Sequence, residues 1–404
     1  MYEHQIKKDK KKRHMNPSQK STSQLQGPIQ RYIGFEFQFL DSKIQAVEGE
    51  EEPYPLNEAA DMVIDGGISG ECGNLEMITK GSINTRDEVA RIVGEMSAVG
   101  SDFCRQGKEA SKKEPKHFIY GAKNIFDIIE LKGTSAQPQI NTDMTVDKII
   151  DTYPEVVGIA LSQKLFSAKR FNWRKQQGEK VIQDTINVIE QLKNWFNPLN
   201  ITLLQTTLKA FNANEQKFTE NLPLFKGWAT CVVTQMFQDL KIPVNSPNAL
   251  RSLFKDIPIL LKTSPDELLQ EFAERVGADY RKEGFKGACF EFIKQFFKEI
   301  INVDNIQLQE LFSYTEDDIY YKDVEYEDSV DRQPNHDEIR DYRYHHYDLA
   351  YYNNPLDDKH IPLAASSQGD ILKVVMELRR CPLKEPYEWT EFALNAFDLF
   401  RLAQ

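Results

Sequence analysis

The chain of 404 residues is 40% hydrophobic and 11% aromatic, which is enough for a substantial core in one large domain with an insertion or in two domains. Its net charge of -12 excludes a protein that coats nucleic acid through a basic surface, and no apolar run approaches the roughly 20 residues that span a bilayer. The 5 scattered cysteines lack C-x-x-C spacing, so they indicate reduced, mostly buried thiols of a cytosolic-type protein and give little support for a zinc site.

The first segment, residues 1–30, is poor in apolar side chains and rich in Lys, Ser and Gln, so we predict a disordered basic tail. Its basic run, Lys7–Arg13, is followed by polar residues and not by the apolar segment of a secretory signal. The run suits contact with an acidic partner or an address for secretion or loading, and a solvated tail without a role fits as well. We therefore expect a cytoplasmic protein, with export by a dedicated secretion or injection system as the alternative.

The next segment, Ile33–Phe39, reads I-G-F-E-F-Q-F, and its apolar residues alternate with polar ones. At the period of two that a β-strand imposes, Glu36 and Gln38 share one face, while Ile33 and the phenylalanines form the other. This pattern is typical of a sheet whose polar face binds a ligand or a metal. It is equally typical of an antiparallel strand with one solvated face.

Further strands and one helix are predicted before residue 145. In one strand Glu76 lies among apolar neighbours, and in another Gln139 and Asn141 share a face. Thr85 and Glu88 have the spacing of a capping box, which predicts a helix start. The predicted strands are Met62–Asp65, Asn74–Thr79, Lys116–Tyr120 and Gln137–Thr142.

From residue 145 to about residue 312 the pattern is helical throughout, and we predict a large all-helical insertion over residues 145–312. The run Ser264-Pro265-Asp266-Glu267 predicts a helix start, with a cap, a proline at the first helical position and a glutamate at the third. Two apolar stripes at helical spacing are expected to be core: Ile182, Ile186, Ile189, Leu192 and Phe196, and Phe285, Cys289, Phe292, Phe296 and Ile300.

The last part of the chain begins with an acidic, tyrosine-rich segment at 314–358, which is either a long ordered loop or lid, or a mobile surface loop. The adjacent pair His345-His346 within it is not a metal signature, because neighbouring side chains point apart. A strand at Lys373–Arg379 then places Glu377 and Arg379 on one face, and an amphipathic helix is predicted at about Pro386–Leu402.

The glutamates of three predicted strands, Glu36, Glu76 and Glu377, each stand in an apolar frame. If they meet in one sheet, they repel one another unless cations lie between them. Magnesium is the natural cation, because it takes hard oxygen ligands and shares its shell with nucleotide phosphates. Arg379 then has the geometry to contact a phosphate or carboxylate bidentately. The alternative is a simple Glu377–Arg379 ion pair beside solvated glutamates.

In this order and spacing, the segments Gly34-Phe35-Glu36-Phe37-Gln38, Leu75-Glu76-Met77-Ile78 and Met376-Glu377-Leu378-Arg379 resemble the glutamine-synthetase-like carboxylate–amine ligases, and the glutamate–cysteine ligase and amidoligase groups most closely. The resemblance covers roughly residues 33–142 and 365–404. It implies an α+β fold in which a mostly antiparallel sheet with one polar concave face is built from both chain ends. The ligase-like sheet domain would comprise residues 31–144 and 313–404, with the helical insertion between them.

The resemblance also implies a chemistry, which is ATP- and Mg-dependent formation of an amide bond between a carboxylate and an amine, on a peptide or protein for example. Glu36, Glu76 and Glu377 would be metal ligands, Glu377 and Arg379 the catalytic residues, and Arg379 the group that holds the phosphate end. Metal ions that bridge phosphate oxygens neutralise the charge that develops in such transfers. The cofactor-binding residues would be Gln38, Gln139, Asn141 and Arg379.

Two departures from the family pattern weaken the expected metal site. Gln38 stands where the family has a second Glu, and Gln139 and Asn141 stand in a strand expected to carry His. The competing function is therefore a catalytically inactive ligase-fold protein, which binds a protein partner through the helical insertion or the basic tail, or serves as a structural or cargo component. We expect no membrane partner, and nucleic-acid binding through the basic tail is the least favoured reading of this acidic chain.

Overall fold

The fold is built around a seven-stranded antiparallel sheet, and the chain also forms a three-stranded sheet. The computed structural model describes residues 33–47, 53–65, 73–80, 83–108, 110, 114–121, 123–165, 178–241, 259–262, 265–304, 372–379 and 381–402. The strands are β1 Ile33–Gln38, β2 Ser42–Ala46, β3 Tyr54–Asn57, β4 Ala60–Asp65, β5 Asn74–Thr79, β6 Lys116–Tyr120, β7 Lys123–Leu131, β8 Gln137–Thr145, β9 Ile259–Lys262 and β10 Lys373–Leu378.

The helices of the described part are α1 Arg86–Gly107, α2 Ile149–Ser162, α3 Gly178–Trp195, α4 Pro198–Lys209, α5 Glu215–Lys241, α6 Pro265–Val276, α7 Phe285–Phe296 and α8 Trp389–Leu402. Short 3-10 turns, Val146–Lys148 and Pro386–Glu388, precede α2 and α8. The predicted capping box opens α1, since Thr85 and Glu88 each accept from the other's backbone N–H. These elements confirm the α+β class.

The large sheet has the strand order β3-β4-β5-β1-β8-β10-β9, so the two parts of the chain predicted to share a sheet do so. β1 pairs with β5 on one side and with β8 on the other, and β10 joins from the far end of the sequence by pairing with β8. From Arg31 to Gln404 the chain forms one compact unit. The boundaries at residues 144 and 312 stay predictions.

The apolar face of the large sheet is buried beneath α1 and α8. Phe35, Phe37 and Phe39 are fully buried, as the period-two pattern predicts. Phe37 stacks on Trp389 of α8 with ring centroids 4.3 Å apart, and Phe39 lies 5.0 Å from Phe103 of α1. This aromatic layer fixes which face of β1 turns inward and therefore where Glu36 and Gln38 point.

The second sheet, in the order β2-β7-β6, is largely absent from the sequence predictions, which include only β6. Phe118 of β6 and Phe126 of β7 stack at 4.8 Å, and both rings contact Phe103 of α1. α1 therefore shares one core with both sheets.

The segment predicted to be all helical contributes a strand as well, because Ile259–Lys262 forms β9 at the edge of the large sheet beside β10. Both stripes predicted as core are buried except at Ile300, which is 42% exposed. The expectation for Ile300 is wrong because α7 continues as a π-helical turn, Phe297–Ile301. The wider winding rotates Ile300 off the stripe and turns Phe297 into the core instead.

In two edge strands, a glutamine side chain from a helix bonds the outward-facing backbone groups, as a further strand would. In β9, Gln238 of α5 accepts from the N–H of Ile259 at 3.3 Å and donates to its carbonyl at 3.0 Å. In β6, Gln106 of α1 makes the same pair of bonds with Ile119, at 3.0 and 3.2 Å. Each amide satisfies backbone groups that an edge strand otherwise presents to other chains.

Several predictions fall outside the described residues, namely the basic tail of residues 1–30, the tyrosine-rich segment at 314–358, His345-His346 and Cys72. Of the described cysteines, Cys231, Cys289 and Cys381 are buried free thiols and Cys104 is partly buried, which agrees with the sequence analysis. Among the described helices, none combines the length and the apolar character that crossing a membrane requires.

Candidate functional site on the polar face of the large sheet

The residues singled out in the sequence lie on one face of four adjacent strands. Across β1 and β8, Glu36 is directly opposite Gln139, and across β8 and β10, Asn141 is directly opposite Glu377. Directly opposite residues in an antiparallel pair point to the same side of the sheet. The strands from the two ends of the chain thus bring their polar side chains to a common surface.

Two more predicted residues belong to the same surface. Gln38 of β1 is paired with Glu76 of β5, and Arg379 follows Glu377 by two residues at the end of β10. Gln38, Gln139, Asn141 and Glu377 are buried, whereas Glu36, Glu76 and Arg379 are partly exposed. We call these seven residues, Glu36, Gln38, Glu76, Gln139, Asn141, Glu377 and Arg379, the polar cluster.

The amides of β8 connect glutamates of different strands. Asn141 Nδ2 donates to Glu36 Oε1 at 2.6 Å, and Gln139 Nε2 donates to Glu76 Oε1 at 3.3 Å. Each amide thereby orients one carboxylate. Among the described residues, the carbonyl oxygens of these two amides, Gln139 Oε1 and Asn141 Oδ1, are buried without a hydrogen-bond partner. A buried acceptor of this kind is costly unless a ligand, ion or water meets it.

Glu377 and Arg379 form an ion pair at the β10 side of the cluster. Arg379 Nε donates to Glu377 Oε1 at 2.8 Å, and the side chains are 21% and 0% exposed, respectively. Burial lowers the pKa of the Arg379 guanidinium, but the charge and hydrogen bond of Glu377 and the charges of Glu36 and Glu76 outweigh it and hold that pKa above its ordinary value. The charges of all three glutamates therefore favour the protonated guanidinium.

Two ion pairs flank the cluster, and the sequence analysis does not identify them. Lys80 pairs with the buried carboxylate of Asp61 at 2.6 Å, and Lys373 pairs with that of Asp143, also at 2.6 Å. Asp143 continues the alternation of Gln139 and Asn141, so a longer predicted strand would have included it.

The polar cluster is not a ready-made set of carboxylate ligands. Within the described parts of the chain, no group of three or more His, Cys, Asp and Glu side chains is placed to hold a metal ion. The amides of Gln139 and Asn141 and the guanidinium of Arg379 engage the three glutamates instead. The metal-ligand role of Glu36, Glu76 and Glu377 therefore stays a prediction.

The donor set nevertheless suits a hard divalent cation. The three glutamates of the cluster supply carboxylate oxygens on this face. The two buried carbonyl oxygens of Gln139 and Asn141 add neutral oxygen donors without a partner among the described residues. Carboxylate and amide oxygens are the ligands that Mg²⁺ takes in proteins. The residue types of the cluster thus suit magnesium, but among the described residues the three carboxylates are not placed around one ion.

No protein-family model matches the sequence, and no curated protein matches it. A solved structure of a mutant ACD domain from a VgrG toxin of Vibrio cholerae, in complex with ADP and Mn²⁺, is similar to this chain at 8% identity and a TM-score of 0.40, covering 87% of this chain and 94% of that one. A Vibrio cholerae toxin of the MARTX/VgrG family is similar at 9% identity and a TM-score of 0.36, with the same coverage. At these TM-scores the similarity carries no argument about fold or activity.

Proposed function

We propose that this protein is an ATP- and magnesium-dependent carboxylate–amine ligase whose site is the polar cluster. The observation that carries the proposal is that Glu36, Glu76 and Glu377, from strands at opposite ends of the chain, lie on one face of the large sheet, where Glu377 is buried beside Arg379. A sheet that needs only a solvated outer face has no reason to bury the carboxylate of Glu377 within it, since burying charge is costly.

In this proposal the three glutamates and the carbonyl oxygens of Gln139 and Asn141 would supply the ligands for the divalent metal. A bound Mg²⁺ would neutralise charge on the phosphate oxygens of ATP. Arg379 contacts the phosphate end of the nucleotide through its planar fork of N–H donors. Asn141 keeps the carboxylate of Glu36 in one orientation, and Gln139 does the same for Glu76. The product is an amide formed from a carboxylate and an amine, with release of ADP and phosphate.

Calorimetric titration of the whole chain with Mg²⁺ and a non-hydrolysable ATP analogue tests the site. Each of the variants Glu36→Gln, Glu76→Gln and Glu377→Gln keeps the side-chain size and removes one charge, so we expect metal-dependent nucleotide binding to weaken at least about tenfold. Glu179→Gln, at an exposed position on α3, is the matched control and should bind as the wild type does. Folded wild-type protein that binds no nucleotide in the presence of Mg²⁺ would end the proposal.

Turnover is then measured as ADP release in the presence of paired carboxylate and amine substrates, with the amide identified by mass spectrometry. We expect release to depend on both partners, because the amine completes the reaction. The same assay with peptides and candidate proteins tests the finer prediction of a protein substrate. Export by a secretion or injection system stays a separate prediction.

A second candidate is a ligase-fold protein that binds but does not catalyse. It is favoured by Gln38, which removes one anionic ligand relative to the family pattern, and by Gln139 and Asn141, which stand in a strand expected to carry His. Nucleotide binding without ADP release for any amine would support this candidate, and amide formation would exclude it.

A further inference from the structure

We propose that Gln238 of α5 is a positioning residue for the polar cluster: by holding β9 in place it fixes β10 and therefore the placement of Glu377 and Arg379. This inference rests on the proposed function, which makes Glu377 and Arg379 part of the site. It gives the helical segment a part in the site, although the polar cluster contains none of its residues.

β10 depends on β9 for one of its two edges. Glu377 is directly opposite Asn141 of β8 on one side and Leu260 of β9 on the other. β9 has only four residues and lies at the edge of the described sheet. Because so short a strand contributes few hydrogen bonds of its own, its place has to be fixed by a further contact. A movement of β9 reaches Glu377 across a single pair of strands.

The side chain of Gln238 supplies this contact. It is fully buried, accepts from the N–H of Ile259 at 3.3 Å and donates to the carbonyl of Ile259 at 3.0 Å. Its Nε2 also donates to the carbonyl of Thr234, one turn earlier in α5, at 3.2 Å, which fixes the orientation of the amide. Ile259 is directly opposite Leu378, which lies between the two residues of the ion pair. The bonds of Gln238 therefore lie at the end of β10 that carries this pair.

The same helix also contacts the other neighbour of β10. Gly227, about three turns before Gln238, packs so closely on Val146 that a methyl group would not fit between them. Val146 directly follows β8, which pairs with the other edge of β10. The two contact points are about 16 Å apart along α5. One helix therefore touches both the chain at the end of β8 and β9, and it limits how far the two neighbours of β10 can move.

Gln238→Met keeps the approximate size of the side chain and removes its bonds to Ile259, so it should loosen β9 and β10 without changing the polar cluster itself. Gln106→Met is the matched control, because Gln106 makes the same pair of bonds with Ile119 in the three-stranded sheet, which carries no residue of the cluster. Hydrogen–deuterium exchange of the whole chain should be faster in the β10 peptide of Gln238→Met and unchanged there in Gln106→Met. Mg²⁺-dependent binding of a non-hydrolysable ATP analogue should weaken about tenfold in Gln238→Met alone.

Gln238→Glu tests the same bonds by rescue. A protonated carboxyl group offers one acceptor and one donor, as the amide does, and burial raises the pKa of a carboxyl group at this position. At about pH 5 this variant should therefore match the wild type in exchange and in nucleotide binding, while Gln238→Met does not. The match should be lost as the pH rises through that pKa. A loss of stability alone would leave the nucleotide affinity of the folded variants equal to that of the wild type at each pH.

Equal exchange in the β10 peptide of the wild type and Gln238→Met overturns the inference, whatever the nucleotide measurements give. Faster exchange with unchanged nucleotide affinity also overturns it and leaves the proposed function standing, as does Gln106→Met that weakens binding as much as Gln238→Met. Folded wild type that binds no nucleotide in the presence of Mg²⁺ removes the proposed function and this inference together. If Gln238→Met does not fold, Gln238→Glu decides, and binding that stays equal to the wild type at every pH overturns the inference.

Discussion

Substituting Gly227 tests how closely helix α5 packs against the end of β8, the strand that carries Gln139 and Asn141. Gly227 is buried in α5 and faces Val146, the residue that follows β8. A Cβ at position 227 would lie 2.5 Å from Cγ1 of Val146, 2.7 Å from its carbonyl carbon and closer still to its carbonyl oxygen. Real Cβ atoms do not approach backbone atoms so closely, so Gly227→Ala must push α5 away from the end of β8.

The size of the effect follows from two opposing contributions. Overpacking a core by a methyl group costs about 1–3 kcal/mol, and a clash with a backbone carbonyl belongs at the upper end because a peptide group cannot change rotamer. Replacing a helical glycine by alanine contributes about 1 kcal/mol of stability in the opposite direction. We therefore expect Gly227→Ala to lower the free energy of unfolding by about 2 kcal/mol.

The matched control is Gly158→Ala in α2, where a Cβ would have nothing within 4 Å. This variant should gain about 0.5–1 kcal/mol from the reduced freedom of the unfolded chain. Urea unfolding followed by circular dichroism measures both variants against the wild type. If Gly227→Ala unfolds at the same urea concentration as Gly158→Ala, α5 does not pack on Val146 as described and the reasoning is refuted.

Three further predictions concern single side chains. Backbone hydrogen bonds, that of Asn84 foremost, lower the pKa of Glu88. The ionised Glu88 therefore contributes stability above the ordinary carboxyl pKa, and this contribution is lost as the pH falls through the lowered value. The difference in melting temperature between wild type and Glu88→Gln should disappear in acid, and a constant difference would contradict this. Gln238→Met should destabilise the fold by about 2 kcal/mol in urea unfolding, because both outward backbone groups of Ile259 lose their partner. An exposed glutamine of α3 replaced by methionine should have no such effect. Burial raises the pKa of Cys104 to about 12. Its alkylation at pH 8, followed by site-resolved mass spectrometry, should therefore be slow in the folded protein and fast in urea. Equal rates would contradict the described burial.

The polar cluster was predictable from the sequence because strand alternation is a local property. In β1 the buried phenylalanines on one side determine that Glu36 and Gln38 lie on the other, and no distant residue is needed for that step. The same holds for Glu76 within β5 and for Glu377 within β10. What alternation cannot supply is which strands share a sheet; that both ends of the chain build one sheet came from the family resemblance and agrees with the structure.

The elements that the sequence analysis missed depend on distant partners. β9 has only four residues, and its strand conformation is stabilised by β10 on one side and by Gln238 on the other. β7 reads K-N-I-F-D-I-I-E-L, a mixture of periods that suits a helix or a strand until β2 and β6 pair with it. Ile300 was misplaced because a π-helical turn is a property of helix packing and leaves no pattern in the local sequence.

The pairing of the sheet also explains why the site and the core are specified together. A slip of β1 by one residue against its neighbours would turn Phe35 and Phe37 to the polar face and bury Glu36 against Trp389. The loss of the Phe37–Trp389 stack and the burial of a charge both oppose such a slip, so the aromatic layer holds the register of the polar cluster from behind. β10 is held in the same way, by pairing on both edges and by its buried apolar face. The side chains of the cluster therefore have freedom to rearrange around a ligand only through rotation, and the long, partly exposed Arg379 at the end of its strand is the member with the most of that freedom.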